Sequence, residues 1–140
     1  YYVSFFEKLP GRVKLAIVEK DGKAIAGDIF FLYRDSVLLV LNVSDWRNRG
    51  CKPNDFMIWN ITDWACRAGF KRLDHGPVPI EEKGLLHFKK KWGGEMVKVS
   101  RYYYPAVIKD AAKTGGSGLF RVMPMKIAGM IGSKVIKVLG

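Results

Sequence analysis

Val37-Leu38-Leu39-Val40-Leu41-Asn42-Val43-Ser44 runs straight into Asp45-Trp46-Arg47-Asn48-Arg49-Gly50-Cys51-Lys52 and then Pro53-Asn54-Asp55-Phe56-Met57-Ile58-Trp59, and this stretch decides the fold. Residues 37–43 are apolar on both faces except at Asn42, the pattern of a central, buried strand. Pro53 suits the first position of a helix. Met57, Ile61, Trp64, Ala65 and Ala68 then recur at helical spacing as one apolar stripe, and Gly69 is placed to cap it. A strand that feeds a helix begins a crossover. The next short strand, residues 71–75, is therefore expected to lie parallel to residues 37–43 with right-handed connection.

Towards the amino terminus, residues 13–19 alternate as a strand and Asp21-Gly22 marks a hairpin turn. Residues 25–33 form a second strand and Arg34-Asp35-Ser36 a second turn, giving an antiparallel meander of three strands. Towards the carboxyl terminus, Gly76-Pro77-Val78-Pro79 reads as a loop. A helix over about residues 81–92 carries Leu85, Phe88 and Trp92 on one face and stops at Gly93-Gly94. Residues 96–104 complete the pattern as a last strand ended by Pro105. The order is β-β-β-α-β-α-β, an α/β fold with a mixed sheet over residues 1–110. Residues 111–118 are small and Gly-rich, a linker. Residues 119–140 contain Arg121, Lys126, Lys134 and Lys137 and no acidic residue. Ile127, Ala128, Ile131, Val135 and Val138 share a helical face, so residues 123–139 are expected to form a basic amphipathic helix, docked on the domain or on a membrane surface.

The chain has 140 residues, 49% apolar and 26% charged, enough for one folded domain with a core. Lys and Arg number 24 against 13 Asp and Glu, a net charge of +11 that favours an anionic partner: a nucleotide co-substrate, tRNA or an acidic lipid surface. Cys51 and Cys66 make no Cys-x-x-Cys pair and the histidines stand far from them, which argues against a metal site and a disulfide framework. Reduced thiols in the cytoplasm, at most at the inner face of the membrane, are the expectation. No run approaches the ~18 apolar residues that span a bilayer. The opening Tyr1-Tyr2-Val3 carries no initiator Met, and the chain is expected to be part of a longer protein.

The loop before Pro53 joins a strand end to a helix start, where backbone N–H groups and the helix dipole favour an anion. Arg47, Arg49, Gly50, Lys52 and Asn54 are the candidate donor-binding residues there. Asp74 and His75 stand at the end of the following strand, an acid–base pair of residue types beside the expected cleft. Tyr103, in the Tyr102-Tyr103-Tyr104 run, is a candidate proton donor to a leaving thiolate. Trp59, His87 and Lys89 are candidates for contact with a substrate.

Together these stretches resemble the second GNAT-like domain of the Fem-type aminoacyltransferases and of related envelope-polysaccharide acetyltransferases. The resemblance rests on Pro53-Asn54 ahead of a Trp-bearing helix, Ala68-Gly69-Phe70, Asp74-His75-Gly76 (His75 where Phe is commoner), and the Gly84-Leu85 to Gly93-Gly94 stretch. It spans about residues 13–104, and the tail from Met123-Pro124 to Leu139-Gly140 resembles the family's usual ending. The GNAT pyrophosphate signature is met at Arg47 and Gly50 and departs at Lys52, where Gly or Ala is usual. The resemblance implies an acyl or aminoacyl transferase in peptidoglycan or polysaccharide biosynthesis. It would hold no tightly bound cofactor and use acyl-coenzyme A or aminoacyl-tRNA as co-substrate. It also implies a preceding GNAT-like domain in the same protein. A non-catalytic half-domain and a basic RNA-binding module are the alternative readings. Transfer of this kind needs an activated ester positioned against an amine, with backbone N–H groups at the oxyanion, and so needs no side-chain nucleophile.

Overall fold

A computed structural model describes residues 2–100 and 102, and the backbone of residues 135–137. The chain forms two compact units, Tyr1–Asp74 with Met123–Gly140, and His75–Val122.

The first unit is built on a sheet. Helix α1 (Val3–Lys8) precedes β1 (Val13–Lys20), β2 (Lys23–Tyr33) and β3 (Ser36–Ser44). β1 and β2 are joined through Asp21 and Gly22 at φ 51° and 72°, the pair of left-handed residues that a tight hairpin turn demands. β3 lies antiparallel to β2. A 3₁₀ turn, Trp46–Cys51, leads to α2 (Pro53–Arg67), and β4 (Arg72–Asp74) then pairs parallel with Ser36–Leu38. The parallel crossover expected from the sequence is thus present. Strand order is β4-β3-β2-β1-β5, with β5 formed by Val135–Lys137.

The stripe on α2 settles against one sheet face. Met57, Ile61 and Ala65 are buried with Ala16, Val18, Ala26, Phe30 and Val37, and Trp64, Phe70 and Leu73 close the margin. Ala68 lies outside that core, exposed. Gly69 ends the helix at φ 81°. The Gly69 N–H donates to the Cys66 carbonyl at 3.1 Å and the Phe70 N–H to that of Ala65 at 3.0 Å, a Schellman closure. On the other face, Phe5 of α1 meets Phe31 edge-on, ring centres 5.3 Å apart.

Asp35 ties the β2–β3 turn to β4. Its carbonyl accepts from the Lys71 and Arg72 N–H groups at 2.8 and 3.2 Å, and its carboxylate from Arg72 Nη2 at 3.1 Å.

In the second unit, α3 (Lys83–Lys90) is shorter than the helix expected over residues 81–92. Of its apolar face, Leu85 is exposed, whereas Phe88 and Trp92 are half-buried beneath Lys91, whose Nζ stands 4.4 Å from the Phe88 ring centre.

Two expectations fail. Residues 96–100 form no strand: Met96, Val97 and Val99 are all exposed, and among the described residues no strand pairs with them. Residues 135–137, read from the sequence as helix, pair parallel with Leu15–Ile17. β-Branched Val135 and Ile136 favour a strand, and Gly129 and Gly132 weaken a helix. The rest of the expected linker and tail helix lies outside the described residues.

Met57→Ala removes a fully buried side chain from beneath α2 and is expected to cost about 2–5 kcal/mol in urea unfolding. The hydrogen bond from Arg72 holds the Asp35 carboxyl below its ordinary value. Folded-state depression means this stabilisation is present above the unfolded value of ~3.9 and is lost as pH falls through the folded one. Melting temperatures of Arg72→Ala and the parent should therefore differ at neutral pH and converge on acidification.

Candidate acyl-donor site

The segment between β3 and α2 has no hydrophobic period, and polar side chains shape it. The Asp45 carboxylate caps the 3₁₀ turn, accepting from the Arg47 N–H at 3.0 Å and from Asn48 Nδ2 at 3.3 Å. Lys52 then takes a left-handed conformation, φ 49° and ψ 50°, and Pro53 opens α2. Lys52 stands where the signature has Gly or Ala, and glycine enters this backbone region without penalty. The departure in sequence therefore keeps the turn at the expense of some local strain.

Arg47, Arg49, Gly50 and Lys52 are all exposed on this turn, and among the described residues the three basic groups have no ion-pair partner. Asn54 serves differently. Its Nδ2 donates to Ser44 Oγ at 3.2 Å, binding the first turn of α2 to the end of β3, and its Oδ1 is buried. Lys20 adds a fourth cation from the end of β1: its Nζ lies 3.2 Å from Cys51 Sγ. That hydrogen bond, with the charges of Cys51 and Asp21, raises the Lys20 pKa. The separation of 31 residues hid this contact from the sequence.

β3 is asymmetric. One edge pairs with β2 from Ser36 to Ser44 except at Val40, and the other, among the described residues, pairs with β4 at Ser36–Leu38. Beyond Leu38 that edge leaves the ladder, and there the β2–β3 register skips Val40: Phe30 faces Leu39 and Ile29 faces Leu41. Val40 is a bulge, 48% exposed. Among the described residues, the edge of β3 beyond Leu38 thus has no ladder partner where it leads into a basic helix start.

The other candidates divide between the units. Asp74 is exposed at the end of β4, paired in register with Leu38. Trp59 is 64% exposed on α2, away from the buried stripe. His75, His87 and Lys89 belong to the second unit. Lys89 Nζ donates to the His75 carbonyl and, at 3.1 Å, to that of Gly76, so it braces its own loop. His75 is half-buried and His87 exposed. Tyr103 lies outside the described residues.

The first unit thus combines a mixed sheet, a register skip at Val40 in the β2–β3 ladder and a basic strand-to-helix turn. The chain belongs to the acetyltransferase (GNAT) domain family, whose sequence profile matches residues 1–90, and it is accordingly an acyltransferase domain. Aminoglycoside N-acetyltransferase AAC(6')-Iy in complex with the bisubstrate analogue CoA-S-monomethyl-acetylneamine shares the fold at TM-score 0.61 and 15% identity, over 75% of this chain and 78% of that one. An aminoglycoside acetyltransferase from an uncultured soil metagenomic sample, in complex with sisomicin, shares it at 0.59 and 12%, over 74% and 73%. A Bacillus halodurans protein does so at 0.58 and 12%, over 73% and 72%. No curated protein matches the chain.

If the turn holds phosphate, each charge-assisted contact contributes about 1.5–3 kcal/mol. The Arg47→Ala/Arg49→Ala double variant is expected to weaken acetyl-coenzyme A binding at least tenfold in calorimetry, with an unchanged melting temperature. Equal affinity would show a merely solvated loop.

Proposed function

We propose that this domain transfers an acyl group from acyl-coenzyme A to an amine on an anionic cell-envelope precursor. The observation that carries the reading is the stretch of β3 beyond Leu38, where pairing with β4 ends among the described residues and the β2–β3 register skips Val40, running into the basic turn at Arg47, Arg49 and Lys52. The donor's phosphates would meet that turn and the N-terminal end of α2. Its thioester would lie along β3, where a backbone N–H outside the ladder polarises the carbonyl. The amine nitrogen attacks the carbonyl carbon, the C–N bond forms, and the C–S bond breaks to release the thiolate. Asp74, at the point where β3 and β4 part, is the group we assign to take the amine's proton.

The choice of acceptor follows from charge. A net charge of +11 repels polycations such as aminoglycosides and attracts phosphate-bearing amines such as nucleotide-linked amino sugars or peptides. This reading agrees with the likeness to Fem-type proteins. On it, a second GNAT-like domain completes the acceptor cleft, and the work is done at the cytoplasmic face of the membrane.

Calorimetry with acetyl-coenzyme A and with aminoacyl-tRNA separates the two donors. Acetyl-coenzyme A should bind and be turned over with a nucleotide-linked amino sugar in preference to an aminoglycoside. Binding of aminoacyl-tRNA alone, or a preference for the aminoglycoside, would refute the donor or the acceptor respectively. Asp74→Asn should lower kcat about 10²-fold with little change in donor affinity.

A further inference from the structure

Asp28 is buried to 2% in the middle of β2, on the sheet face that α2 covers, and is the buried polar residue among those described. Its neighbours in register are Ala16 on β1 and Asn42 on β3. Asn42 Nδ2 donates to Asp28 Oδ2 at 3.2 Å. Burying a carboxylate costs free energy that its bonds must offset, so what stands opposite it in register is not free to vary. The position asks for a use beyond filling the core.

The register supplies one. Asn42 stands opposite Asp28 only because Val40 is left out of the β2–β3 ladder. Continuous pairing from Phe30 and Leu39 onward would place Val40 opposite Ile29 and Leu41 opposite Asp28, setting an apolar side chain against the carboxylate. The Asp28–Asn42 pair therefore favours the bulged register over the regular one. Asn42 is itself exposed, so the pair links the buried sheet to the outer end of β3.

We propose that Asp28 is a positioning residue for acyl transfer. Through Asn42 it pins the bulge at Val40, and with it the backbone groups on the open edge of β3 that meet the thioester carbonyl. This rests on the acyl-transfer reading above.

The test compares Asp28→Asn, Asp28→Leu, Asn42→Ala and the exchange Asp28→Asn/Asn42→Asp in the whole chain. The readouts are melting temperature, acetyl-coenzyme A affinity, steady-state acetyl transfer and the backbone amide resonances of residues 39–43. Asp28→Leu should lose at least tenfold in kcat beyond what any fall in melting temperature accounts for, with KM for acetyl-coenzyme A within twofold. Its amide resonances over residues 39–43 should shift. Asn42→Ala, at an exposed position, should repeat the loss in kcat, and the exchange should recover most of it. Variants that keep the parent's kcat within twofold, or whose kcat falls only in step with melting temperature, would overturn the proposal. A parent that neither binds nor turns over acetyl-coenzyme A would overturn the acyl-transfer reading and this proposal together. The two failures are distinct, because the first leaves the parent active.

Discussion

Met57, Ile61 and Ala65 of α2 rest on Ala16, Val18, Phe30 and Val37, and the geometry of the first unit depends on that burial. α2 has 15 residues, about 22 Å of helix, and lying on the sheet it returns the chain from the end of β3 to its beginning. β4 can then enter only beside Ser36–Leu38 and only in the parallel sense. The same burial aims the first turn of α2 at the end of β3, where Asn54 meets Ser44. The basic turn is held between these two fixed ends, and its conformation is settled by Asp45 and by the left-handed Lys52.

On the proposed reading, acyl transfer would use what β3 leaves unpaired among the described residues. A fully laddered central strand has no backbone groups to offer a ligand. Here pairing with β4 stops after Leu38, and the bulge at Val40 frees the strand further. The chemistry of acyl transfer suits such a site, since an oriented N–H and a placed amine are enough to lower the barrier.

The sheet was legible because its signals are local. Alternation marked β1 and β2, Asp21-Gly22 marked the hairpin, and the stripe from Met57 to Ala65 marked α2. Trp46 to Cys51 has no period, so the 3₁₀ turn was hidden. Residues 96–100 and 135–137 show why pattern alone misleads: a strand needs a partner, which a local window does not contain. At the site, the cations of the turn were evident, whereas Lys20 reaches Cys51 only through the fold. Asn42 was visible as the polar exception in β3, but its pairing with Asp28 was not, because it depends on a one-residue slip that no single-strand pattern records. Lys89 was visible as a cation, but its contacts with the carbonyls of His75 and Gly76 join positions too far apart for a local pattern to record.

The outermost strands, β4 and β5, are three residues each, while the strands they flank have nine and eight. Exposed strand edges are templates on which foreign chains can add and begin to aggregate. Inside the sheet, the β2–β3 ladder skips Val40 and the β1–β2 ladder has its own irregularity between Val18 and Glu19, and bulges of this kind add twist. Among the described residues, the outer strands are thus short and the sheet between them is not flat. Both features disfavour the addition of further copies of the chain.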